Sequence, residues 1–452
     1  MGTEWTQHVI WWHSYPLGFV GAPIHPEHSD GTVSHRLGAM EPWLDHIVEL
    51  GLNGLLLGPV FASTSHGYDT LDHLRLDDRL GDQADFDRLV NAAREKGIRV
   101  LLDGVFNHVG RQHPWFLDVE RNGRDSPHAG LFRIDWTGWS PGDPVNSDVF
   151  EGHDILVALD HESVDVENLV VDVMNHWLDH GIDGWRLDAA YAVPPAFWAR
   201  VLPRVRERHP DAWFTGEVIH GADVAFAEAS TIDSLTQYEL WQGVWHGISD
   251  DNLHELGHAL GRHNALLAAY VPSTFIGNHD VTRIASAIGP DRVGHALAVL
   301  FTVAGVPSVY AGDEFGWEAV KEERIGGDDA IRPEFPAAPP RGDELDDRAA
   351  ATLQAHRQLI GVRRRHPWLH SAHSDVVAVS NETLVFRTAV DRDVVVTALN
   401  LSAAELRVPS TEVVTVVAGR AELDGDAFVV AAGDWAVVSS DRDSSSAATA
   451  DS

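Results

Sequence analysis

The sequence predicts an α/β chain: a (β/α)8 TIM barrel, a short insertion after its third strand, and an antiparallel β domain behind it. Three observations carry this. Short apolar runs alternate with amphipathic stretches from residue 8 to about 365, and eight such runs can be counted. The rhythm breaks once, between residues 109 and 165, where Gly, Pro, Asp and Trp are frequent. Beyond His370 the apolar residues recur every second position instead.

In chain order the eight strand-like runs begin at Val9, Gly54, Ile98, Gly184, Ala212, Ser234, Ser273 and Val306. Only the sixth is weak by pattern. Between them, Trp43–Leu50, Phe86–Lys96, Leu169–His180, Phe197–His209 and His295–Val303 carry apolar residues at three- and four-residue spacing, which marks helices with one buried face. Residues 323–348 are rich in Gly, Asp, Pro and Arg and read as a long loop, and a helix from about Ala350 to Arg365 closes the barrel. The expected division is therefore a barrel over 1–108 and 166–368, an insertion over 109–165, a β domain over 369–440 and a disordered tail over 441–452.

The chain has 452 residues, 44% of them hydrophobic, enough for a barrel and one appendage. Its formal charge of −35 argues against nucleic acid and anionic membrane as partners and fits a neutral substrate. Lys96 and Lys321 are its only lysines, and it has no cysteine, so disulfides and thiolate metal sites are excluded. No run of 18 apolar residues exists, and Met1–Gln7 lacks the features of a signal peptide, so a cytoplasmic location is expected.

Four polar stretches each end an apolar run: Asp-Gly-Val-Phe-Asn-His at 103–108, Gly-Trp-Arg-Leu-Asp at 184–188, Thr-Gly-Glu at 215–217 and Phe-Ile-Gly-Asn-His-Asp at 275–280. A parallel barrel gathers its strand ends at one mouth, where paired carboxylates can cleave a glycosidic bond. Arg186 precedes Asp188 by two on an extended strand, so both side chains leave the same face and the guanidinium can hold the carboxylate ionised. Asp188 suits a nucleophile. Glu217 ends the apolar run Ala212–Gly216, and an apolar setting favours the protonated carboxyl that an acid catalyst needs.

This set of motifs, in this order, resembles the α-amylase family of glycoside hydrolases over most of the chain. The resemblance implies that Asp188 is the nucleophile with Arg186 as its partner, that Glu217 is the general acid and then base, and that Asp280 is the third catalytic carboxylate, distorting the bound sugar ring. It implies that His108 and His279 donate to hydroxyls of that sugar, and that Asp103 is a scaffold for Arg186. His66–Thr70 resembles the loop whose tyrosine stacks on the sugar at the cleavage point, which assigns that role to Tyr68, with Asp69 orienting it or pairing with a basic group. Leu156–His161 is a partial match to a fifth family motif, with Asp160 where many relatives have Asn. Trp11, Trp12, Trp136 and Trp139 are candidate sugar platforms, with at least one of the first two expected in the core; Tyr15 and Phe19 are candidates for the cleft rim.

Two departures bear on the specificity. Many amylases follow the nucleophile with a Lys-His pair; here Asp188 is followed by Ala-Ala-Tyr191, so Tyr191 or Val193 is expected to shape the leaving side. The insertion, domain B of the family, is short, which suggests an open cleft or one completed by a second copy in a homodimer. No cofactor is required by the chemistry. A structural calcium at Asn107, with Asp148 or Asp154 as carboxylate, is the one metal the resemblance leaves open. The N-terminal β module of many cyclodextrin hydrolases is not expected here.

The function expected is that of a retaining α-glucan hydrolase acting on short linear or cyclic malto-oligosaccharides, cyclic maltosyl-maltose and cyclodextrins among them, through a covalent glycosyl-enzyme intermediate. The alternatives are a transglycosylase forming trehalose or isomaltulose and, in a different class, a non-catalytic sugar-binding accessory subunit of a transporter.

Overall fold

The structure, a computed structural model, describes residues 4–25, 31–220, 224–324, 326–410 and 414–440. The expected tail at 441–452 lies outside them. The chain divides into two compact units, the first built mainly from residues 11–236 and the second mainly from 237–331 and 340–452.

The first unit holds six parallel strands, β1 (Trp11–Ser14), β2 (Gly54–Leu57), β3 (Arg99–Gly104), β4 (Gly184–Leu187), β5 (Trp213–Gly216) and β6 (Ser234–Leu235). Each pairs with its successor in sequence order. The helices Glu41–Leu50, Gln83–Glu95, Val164–Asp179 and Pro195–Arg208 connect them, each with a buried apolar stripe. The second unit holds the parallel pair β7 (Ser273–Phe275) and β8 (Val306–Tyr310). These eight strands and their helices are the (β/α)8 fold class. The weak sixth run is a strand of two residues.

β1, β2, β4 and β5 are buried at every position, which is why they read as continuous apolar runs without alternation. Trp11 stacks on Trp213 and Trp12 on Trp43, with ring centroids 5.9 and 5.7 Å apart. Both are core residues, so neither is a sugar platform. Tyr15 and Phe19 are also buried, at 2% and 3% exposure, which removes them from a cleft rim. The Tyr15 hydroxyl donates to the His66 carbonyl, and Phe19 stacks on Phe335.

The insertion is more ordered than its composition suggests. It contains the helix Pro114–Asn122, with proline at its start and the His113 side chain capping the Trp115 N–H. A short antiparallel ribbon pairs His108–Gly110 with Leu156–Ala158 and closes the insertion at its base. Trp136 and Trp139 lie edge to face within it, 5.0 Å apart.

In the second unit the helix Asp347–Arg365 leads into the C-terminal β domain, where period two gives antiparallel sheets of five and three strands. Val385, Ala398, Val408, Phe428, Val430, Ala436 and Val438 form its core.

Candidate active site

Strand register builds the site. Asp103 of β3 pairs with Arg186 of β4, and Leu187 pairs with Gly216 of β5. Asp188 and Glu217, one residue further along, therefore leave neighbouring strands at the same level. The backbone continues the ladder there, with Asp188 N–H donating to the Gly104 carbonyl and Glu217 N–H to that of Leu187.

Arg186 joins the acidic groups. Its Nη1 donates to both Asp103 oxygens at 2.7 and 2.6 Å and to Asp188 Oδ1 at 3.2 Å, while Nη2 donates to Glu217 Oε1 at 2.5 Å. All four residues are buried, none more than 7% exposed. Burial works against the guanidinium's charge, but Asp103 and Glu217 outweigh it and push the Arg186 pKa well up. Burial pushes the Asp103 carboxyl up, against the pull of Arg186. One guanidinium thus serves three buried carboxyl groups.

The setting of Glu217 is more polar than the apolar run before it suggests. Besides Arg186, the Ala189 N–H donates to its Oε2 at 3.0 Å. Ala189 has a φ of 43°, a left-handed conformation that costs a non-glycine residue about 1–2 kcal/mol. The strained turn after Asp188 thus aims a backbone donor at Glu217, and strain of this kind collects at functional sites.

Tyr68 donates its hydroxyl to Asp103 Oδ2 at 3.0 Å, which ties its loop to the charged cluster. Asp69 accepts from the backbone and hydroxyl of Ser65 and so closes the turn that presents Tyr68. His108 is occupied from both sides. Asn107 Nδ2 donates to its Nδ1, its Nε2–H donates to the Tyr68 carbonyl at 3.1 Å, and its ring lies flat against Phe150. Burial pushes His108 down to about 3, so it is a neutral imidazole that supports Tyr68. In this geometry both ring nitrogens already have protein partners, so a sugar hydroxyl would have to replace one of them.

Tyr191 lies in the turn after Asp188. Its N–H donates to the Glu217 carbonyl, and its hydroxyl donates to Glu151 Oε1 at 2.7 Å. Burial and Glu151 push the phenol's pKa up and keep it a donor. Glu151 belongs to the insertion and has a φ of 48°. Sequence reading missed this partner because nothing local marks it; the contact spans 40 residues.

In the second unit the motif after β7 places His279 Nε2 3.1 Å from Asp280 Oδ2. His279 is fully buried, while the Asp280 side chain is 31% exposed. The Asp280 N–H donates to Asn278 Oδ1, and Lys321 Nζ donates to the Asp280 carbonyl at 2.9 Å.

Asn107 is the residue expected to hold a structural calcium. Its Oδ1 is buried with no partner among the described residues, as a ligand oxygen would be. Of the two carboxylates expected beside it, Asp148 faces Arg133 at 3.6 Å. Among the described residues, the one group of three His, Asp or Glu side chains within reach of a common ion is His35, Asp82 and Asp85, where Asp82 and Asp85 already form the cap of helix Gln83–Glu95.

The family model described as "Alpha amylase, catalytic domain" matches residues 28–382. A cyclomaltodextrinase of a Bacillus species is 35% identical over 285 residues, 60% of this chain and 50% of that relative. Neopullulanase 2 of Thermoactinomyces vulgaris is 35% identical over 69% of this chain and 57% of its own. An intracellular maltogenic amylase of Bacillus subtilis is 28% identical over 69% of this chain and 56% of its own. The chain thus spans roughly half the length of these relatives. Among solved structures, a cyclomaltodextrinase superposes with a TM-score of 0.82 at 25% identity, covering 98% of this chain and 79% of that one. The cyclic α-maltosyl-(1→6)-maltose hydrolase of Arthrobacter globiformis, bound to its cyclic sugar, superposes with a TM-score of 0.81 at 23% identity, covering 97% and 99%, a likeness of fold.

Proposed function

Because this chain belongs to the α-amylase family, we propose that it is a retaining glycoside hydrolase of short linear and cyclic malto-oligosaccharides. The observation that carries this is the pair Asp188 and Glu217, set side by side on neighbouring strands and joined by Arg186. Parallel strands lie about 4.8 Å apart. That backbone spacing favours the short carboxyl separation of about 5–5.5 Å used for double displacement over the about 6.5–9.5 Å that leaves room for an inverting water.

In this reading an Asp188 oxygen bonds to the anomeric carbon as the glycosidic C–O bond breaks, and Glu217 gives its proton to the leaving oxygen. Water then attacks the same carbon, Glu217 takes a proton from it, and Asp188 leaves as carboxylate. Arg186 keeps Asp188 ionised and oriented for the attack. The side chains supply nucleophile, acid and base, so the reaction calls for no cofactor. The relatives named as cyclomaltodextrinase and neopullulanase support an α-glucan substrate. A cytoplasmic location is supported by the relative named intracellular.

A product profile tests the proposal. Purified protein and its Asp188→Asn variant are incubated with maltotetraose, a cyclodextrin and a cyclic tetrasaccharide holding α-1,4 and α-1,6 links. New reducing ends from the wild type and none from the variant are expected. Isomeric products without new reducing ends indicate a transglycosylase, and no turnover of any of the three overturns the proposal.

A further inference from the structure

Helix Tyr238–Ser249 of the second unit carries Trp241 and Trp245 four residues apart, so both project from one face. Their rings lie 5.8 Å apart, and Trp241 stacks on Phe275 at the end of β7. Together with Asp280, Val281, Thr282, Ile284, Ala287, Lys321 and Glu323 they line a cleft of about 370 Å³. That volume falls near the lower end of small-molecule sites, about 300–1,000 Å³, and aromatic walls with a few polar groups are their usual lining.

The polar side is tied to the site motif. Lys321 Nζ donates to the Asp280 carbonyl, its backbone N–H donates to Thr282 Oγ1 at 3.1 Å, and its ammonium pairs with Asp328 at 3.4 Å. One ammonium between Asp280 and Glu323 leaves the lining net negative, which disfavours an anionic ligand. Two indoles beside hydroxyl-binding groups suit a neutral ring with one apolar face, which is the build of a glucosyl unit.

We propose that this cleft is a glucosyl subsite. It seats a ring of the glucan next to the one bound at His279 and Asp280, with Trp241 and Trp245 as the platform and Lys321 and Glu323 meeting its hydroxyls. This rests on the reading of Asp280 as a sugar-binding carboxylate. A longer substrate gains this contact and a shorter one does not, so the subsite selects for chain length.

The lysine content gives a direct test. The side chains of Lys321 and Lys96 are 35% and 34% exposed and each is in one ion pair, so they should react comparably with an acetylating reagent. Lys96 pairs with Asp45 in the first unit and serves as the internal control. In the Asp188→Asn protein, saturating maltotetraose is expected to slow acetylation of Lys321 at least about 5-fold, read by peptide mass spectrometry, and to leave Lys96 unchanged. In the otherwise native enzyme, Trp245→Ala is expected to lower kcat/KM for maltotetraose about 10-fold more than for maltose. Turnover of maltotetraose by the wild type with no protection of Lys321 overturns the subsite alone. No turnover overturns the functional reading and the subsite with it. The footprint does not depend on the Trp245 variant folding.

Discussion

Arg186 Nη2 lies 2.5 Å from Glu217 Oε1 while Nη1 of the same guanidinium reaches Asp188, so the proposed nucleophile and the proposed acid share one cation. In the proposed mechanism their tasks are opposite. Asp188 acts as a carboxylate, whereas Glu217 must turn a proton toward the leaving oxygen, so substrate has to draw Glu217 away from Arg186. A lysine at 186 could supply the charge but not the fork. Arg186→Lys is expected to lower kcat about 100-fold with a smaller change in KM, as steady-state kinetics will show. Arg186→Met leaves three buried carboxylates without a cation and is expected to cost about 3–5 kcal/mol of stability, measured by denaturant unfolding.

The clasp between Tyr191 and Glu151 joins the insertion to the turn beside Glu217. Tyr191→Phe removes one partly exposed hydrogen bond and is expected to cost at most about 1 kcal/mol. Its larger effect is expected on the leaving side, as a rise in KM for maltotetraose of a few fold. Glu151→Gly loses the same bond but relieves the left-handed backbone by about 1 kcal/mol, so it should melt above Glu151→Ala, which loses the bond and keeps the strain. Calorimetry of the two variants checks this ordering.

Gly184 opens β4 against β5, and a Cβ there would run into the Trp213 backbone carbonyl. Backbone cannot yield as a side chain end can. Gly184→Ala is expected to cost more than about 2 kcal/mol and to lower kcat, because the register it disturbs is the one that aligns Asp188 with Glu217.

His108 and His263 are buried neutral imidazoles, pushed by burial down to about 3 and about 4, and each donates Nε2–H to a backbone carbonyl. In the unfolded chain they titrate near 6.5. Their contribution is therefore complete above about pH 6.5 and lost as pH falls toward the folded values, with each histidine costing about 1.4 kcal/mol per pH unit inside that window. The unfolding midpoint should drop between pH 6.5 and 4, and His263→Gln should flatten the slope.

Much of this was legible in the sequence because barrel strands are short, buried and punctuated by polar ends. The runs at Gly54, Gly184 and Val306 match β2, β4 and β8 in full. What escaped depended on contacts far apart in sequence. Tyr15 and Phe19 read as rim residues because they follow a strand end, yet Phe335 and the His66 carbonyl bury them. The hairpin Phe61–Ser63 with Thr70–Leu76 went unread because its irregular register hides the alternation. Glu151 carries no local signal, since its partner is Tyr191.

A covalent intermediate on Asp188 is the step that separates the proposed mechanism from its alternatives, and it can be trapped. The Glu217→Gln variant is mixed with α-maltosyl fluoride, whose leaving group needs no acid, then quenched and digested for mass spectrometry. The account predicts a maltosyl ester on the peptide that holds Asp188, and none when Asp188→Asn is added. An adduct on another residue, or turnover to product of inverted configuration with no adduct, contradicts it.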